Sequence, residues 1–106
     1  MDFCVHVHFD AEWVLNKRKD EQLPVDRLIK NIQLLFDERM ELSEAGLTEA
    51  VMVFHDTFED RDAAVLMVYQ EVLRLYKELE KGMVVNREEN GLVAHLGENC
   101  IVWGMA

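Results

Sequence analysis

With 106 residues, half of them apolar, the chain is sized for a single domain (1–106) whose core needs no disulfide or metal staple. Its 21 acidic residues against 11 basic give a formal charge of −10, which repels nucleic acid and anionic membranes unless bases cluster. The one basic cluster, Lys17-Arg18-Lys19, runs straight into Asp20 and Glu21, so neither direct nucleic-acid binding nor membrane binding is expected.

The chain opens with FCVHVHF (3–9), in which Phe3, Val5, Val7 and Phe9 alternate with Cys4, His6 and His8. That period of two predicts a half-buried strand. Residues 10–23 have no clean period and predict a long connection with at most a short turn near Trp13. Pro24 and Asp26 suit a helix start. Val25, Leu28, Ile29, Ile32, Leu35 and Phe36 then form one apolar stripe, and Gly46 is a suitable stop.

AVMVF (50–54) predicts a buried strand. Thr57 and Asp60 resemble a capping box for a second helix running to Gly82. That helix carries two adjacent apolar stripes, Val65-Val68-Val72-Leu75-Leu79 and Leu66-Tyr69-Leu73-Tyr76, so it should touch the first helix or a partner as well as a sheet. MVVN (83–86), GLVAHL (91–96) and NCIVWGM (99–105), divided by Gly- and Asn-containing turns, predict a β-meander. The expected fold is α/β (α+β): a two-layer sandwich, βαβα followed by a C-terminal meander, with two helices on one face of a mixed sheet. Its first two strands should be parallel and joined by a right-handed crossover.

The longest apolar run, AAVLMVY (63–69), is too short to cross a bilayer, and the first residues lack the basic start of a secretory signal. Cys4 and Cys100 have no CxxC spacing and read as reduced, buried thiols of a cytoplasmic protein. Ser43, the sole serine, has no nucleophile motif around it.

Three features are candidate sites. His6, His8 and Asp10 on the first strand, with His55 after the second, form a chemically sufficient set for a divalent metal if the two strands are parallel neighbours. This supports an alternative reading as a metal- or small-ligand-binding protein, possibly a hydrolase. The plainer reading is a polar strand face with no cofactor. Between residues 37 and 62, Asp37, Glu38, Glu41, Glu44, Glu49, Asp56, Glu59, Asp60 and Asp62 outnumber Arg39 and Arg61, netting −7. Four of these acids would crowd the carboxyl end of the first helix, where its dipole disfavours them. That arrangement suits a surface complementary to a basic, possibly nucleic-acid-binding protein. Finally, Met52, Phe54, Val102 and Trp103 belong to strands that are apolar on both faces and are assigned to a homodimer interface on the helix-free side.

The leading expectation is therefore a non-enzymatic interaction module that binds and inhibits a basic partner, in the acidic region by mimicry of nucleic acid. In size and acidity, though not in any motif, it is similar to immunity proteins and to phage inhibitors of bacterial defence such as anti-CRISPR proteins.

Overall fold

The alternation of FCVHVHF forms strand β1 (Phe3–Phe9): Phe3, Val5, Val7 and Phe9 are buried, while Cys4, His6 and His8 face the other way and stay partly or fully exposed. The computed structural model describes residues 2–17, 22–55, 60–89 and 91–105, with only the backbone of Glu38. After β1 come helices α1 (Ala11–Lys17) and α2 (Pro24–Phe36), then strands β2 (Met40–Ala45) and β3 (Glu49–Phe54). Helix α3 (Arg61–Leu75) and strands β4 (Met83–Glu88), β5 (Gly91–Leu96) and β6 (Cys100–Met105) complete the order. One six-stranded sheet runs β2-β3-β1-β6-β5-β4. Its pairings are all antiparallel. Helix α2 lies over β2 and β3, and α3 over β1, β6 and β5.

The two-layer α/β sandwich is as expected, but the sheet is antiparallel rather than mixed, and the reason is one unrecognised strand. The expected first helix ends at Phe36, ten residues before Gly46. Val25, Leu28, Ile29, Ile32 and Phe36 are buried along its stripe, whereas Leu35 is exposed. Asp37 then takes φ 53° and ψ −132°, a conformation no helix continues. After a 3-10 turn, Met40–Ala45 pairs with β3 through a hairpin closed by Gly46 N–H donating to the Glu49 carbonyl (2.8 Å). Inserting β2 reverses the direction of the strand that follows. The parallel relation to β1 thus passes to β2, and β3 lies between them antiparallel to both.

Two aromatic groups anchor the ends of the interlayer core. Phe54 stacks on Phe3 at 5.4 Å and meets Phe36 edge-on at 4.7 Å. At the other end Trp13 stacks on Phe9 and meets the ring of Tyr76 edge-on. This holds α1 in the helical layer, so the described part of segment 10–23 does not cover the opposite sheet face.

Helix α3 is capped by Asp60, whose carboxylate accepts from Asp62 N–H at 2.9 Å; Thr57 lies outside the described residues. The helix ends at Leu75 rather than Gly82, and a following 3-10 turn (Lys77–Glu80) buries Leu79. Its expected second contact is with α2, where Arg74 donates to the Asn31 side-chain oxygen at 3.2 Å.

Two details fix α3 on the sheet. Gly104 is buried on β6, and a Cβ there would come within 2.8 Å of the Arg61 side chain and 3.1 Å of Val65. Asp62 accepts from Arg87 of β4 (2.8 Å) and from the Leu92 N–H of β5 (3.2 Å). Burial opposes ionisation of Asp62, yet these bonds and the charges of Arg87 and Arg61 outweigh it and hold the carboxyl below its ordinary 3.8.

Gly104→Ala should therefore cost about 1–3 kcal/mol in denaturant unfolding, because the Arg61 and Val65 side chains packed on β6 must give way. Asp62→Asn should lower the melting temperature at neutral pH. A depressed carboxyl stabilises above its unfolded value and loses that contribution as pH falls through the folded one. The gap between mutant and wild type, followed by calorimetry, should accordingly close below the ordinary 3.8.

Candidate interaction face

The side chains that point away from the helices form a second face, uncovered among the described residues. Cross-strand partners share a face, so the register assigns its rows directly. One row runs Glu49, His8, Ile101, His95, Val84; the next runs Glu44, Val51, His6, Trp103, Val93, Asn86. A third contains Glu41, Val53, Cys4 and Met105. Val51, Val53, Val93, Ile101 and Trp103 are half-buried by their neighbours alone. His6 stacks on Trp103 with ring centres 5.0 Å apart and planes 13° from parallel. Beside this pair, His8, Glu88, Val93, His95, Ile101 and Trp103 line an open depression of about 360 Å³.

This register corrects the assigned dimer interface. Met52, Phe54 and Val102 are completely buried beneath the helices, and of the four only Trp103 lies on the uncovered face. A strand that is apolar on both sides carries no in-or-out signal, so its parity is set by its neighbours. On β3 and β6 the apolar members of the face are the odd-numbered residues Val51, Val53, Ile101 and Trp103 instead.

The metal set does not assemble. His8 pairs with Glu49 while His55 follows Phe54, which pairs with Phe3. Six residues of β3 separate them, about 20 Å at strand rise. Convergence required parallel strands, and antiparallel pairing sends the carboxyl ends of β1 and β3 to opposite ends of the pair. Asp10 is engaged elsewhere: its carboxylate accepts from Trp13 N–H at 3.1 Å and caps α1. His55 sits by Glu41 (3.1 Å) and Asp2 (3.6 Å). Among the described residues no three His, Cys, Asp or Glu side chains group to hold a metal ion. Burial also pushes the Cys100 thiol well above its usual range, so it stays protonated at neutral pH.

The acidic residues divide. Glu41, Glu44 and Glu49 edge the uncovered face along β2 and β3. Asp60 and Asp62 serve α3, as cap and as tie to β4 and β5. Asp37 ends α2, and Glu59, Asp56 and the Glu38 side chain lie outside the described residues. The dipole argument for residues 37–44 falls, because they occupy a 3-10 turn and an edge strand rather than a helix end. On an edge strand, charge has a local purpose: it discourages pairing with other chains.

Sequence reading missed His95, Val93 and Glu88 as members of the face, although the period of two in GLVAHL sets His95 and Val93 opposite the buried Leu92, Ala94 and Leu96. All four histidines of the chain lie on or beside this face. No lysine or arginine does among the described residues of its strands; Arg87, the one base within them, turns to Asp62 on the helical side.

Comparison with known protein families, with curated proteins and with solved structures gives no match. No helix among the described residues is long and apolar enough to cross a membrane.

With the four candidate ligands dispersed, protein dialysed against zinc should retain well under one equivalent by elemental analysis. His8→Gln and His55→Gln should not change that value. Stoichiometric zinc lost in either variant would restore the metal reading.

Proposed function

We propose that this chain is a non-enzymatic interaction module of the cytoplasm that docks a protein partner on its uncovered sheet face and occludes that partner's basic surface. One observation carries this reading: a broad apolar and histidine surface to which no lysine or arginine among the described residues of its strands contributes, margined by Glu41, Glu44 and Glu49 on one side and Glu88 on the other. Exposed contiguous apolar surface with a polar rim is the composition of a protein-binding site. The glutamates add selectivity for a basic partner and speed its approach. A partner that normally holds nucleic acid would meet carboxylates where phosphates sit, which makes inhibition the consequence of binding.

Capture from host extract at low salt, with bound proteins identified by mass spectrometry, tests this. A specific partner should be retained by the wild type and by a control with Glu12, Asp26 and Glu80 of the helical layer changed to Lys. It should be lost from E41K/E44K/E49K and from Trp103→Ser, and retention should fall as salt approaches physiological strength, where the Debye length is about 8 Å. The triple variant should fold normally, since lysine on strand edges is a common natural device. If the face variants recover the same proteins as the wild type, the reading fails.

A further inference from the structure

The two edges of the sheet are built differently. Edge strand β2 carries Glu41 and Glu44, and its pairing with β3 shifts register between Leu42 and Glu44. A bulge and like charges are the usual defences of an edge. Edge strand β4 has neither in its first half. It is straight in register with β5 along all six residues, is exposed throughout, and begins Met83-Val84-Val85, each at least a third exposed. Among the described residues no strand or helix covers its outer side.

We infer that β4 pairs antiparallel with β4 of a second copy about a two-fold axis through Val85, giving a continuous twelve-stranded sheet. An antiparallel two-fold in one sheet keeps residues of like parity opposite each other, so the axis must pass through a residue. Centred on Val84, the pairing sets Lys81 against Arg87 and Glu80 against Glu88 of the other copy. Centred on Arg87, it opposes two arginines. Centred on Val85, it sets Val85 against Val85, Val84 against Asn86 and Met83 against Arg87, and it brings Lys81 to Glu89 of the second copy at both ends. No like charges are then directly opposite. Arg87 is already neutralised by Asp62 on the helical side, so its place beside Met83 adds no unpaired charge. The helical layers of both copies fall on one side of the joint sheet and the uncovered faces on the other. This pairing is independent of the partner proposed above, because it uses the edge and leaves that face free.

Light scattering tests it. The wild type at about 100 µM, where a micromolar dimer is filled, should show twice the mass of one chain. Two anions of formal charge −10 repel, so this dimer should tighten as salt rises, the opposite of the capture experiment above. Val85→Lys, which sets two cations on the axis at an exposed position, should give a folded monomer. Lys81→Glu or Glu89→Lys alone should weaken association about fivefold, and the K81E/E89K pair should restore it. Under mild oxidation Val85→Cys should form a covalent dimer, whereas Val84→Cys, opposite Asn86, should not. A wild type that remains monomeric overturns the inference, as does a dimer that survives Val85→Lys or that Val84→Cys crosslinks as readily as Val85→Cys.

Discussion

Strand β1 alternates strictly in burial, and its two edges are both paired, to β3 and to β6. A strand in that position transmits its parity to every neighbour, because directly opposed residues share a face. Slipping β1 by one residue would place His6 and His8 against α3 and turn Val5 and Val7 to water. Burying imidazoles without partners while exposing two valines costs several kcal/mol. The register of the whole sheet, and the identity of the uncovered face, therefore descend from seven residues at the start of the chain.

Much of this was legible. The alternation of residues 3–9, the apolar run 50–54 and the meander after Met83 each form strands close to where their pattern ends, and the stripe from Val25 to Phe36 forms a helix. MELSEA was not legible, because five of its six residues are exposed and a solvated edge strand has no apolar period to detect. That single omission reversed the inferred direction of β3 and with it the convergence of His8 with His55. Parity in doubly apolar strands was equally hidden. Met52 and Val53 are indistinguishable by composition, and only pairing with Val5 and Cys4 assigns the first to the core. Asp10 shows the same limit on the side of chemistry: a carboxylate before a seven-residue helix is a cap, but the helix is too short to announce itself.

The acidity of the chain has no single explanation. Asp60 and Asp62 work inside the fold, tying the start of α3 to itself and to β4 and β5. Glu41 and Glu44 blunt an edge and margin a surface at the same time. Net charge thus overstates the docking surface, and the meaningful quantity is that the bases of the described helices and strands keep to the helical side while acids occupy both. Lys17, Arg27 and Arg74 sit among the helices, where Lys17 lies over Trp13 and Tyr76, Arg27 lies over Tyr76, and Lys17 also pairs with Glu78.

The stack of His6 on Trp103 has an optical consequence. The chain has two tryptophans, and the sandwich separates them, Trp13 among Phe9 and Tyr76 in the helical layer and Trp103 on the bare side against an imidazole. An indole's emission depends on the ring stacked against it and on its contact with water. Fluorescence from Trp103 therefore responds to anything that displaces the His6 ring or covers that face, and Trp13, partly buried in the opposite layer, supplies the emission against which that change is read. The molecule carries its own dye on one side and its own reference on the other.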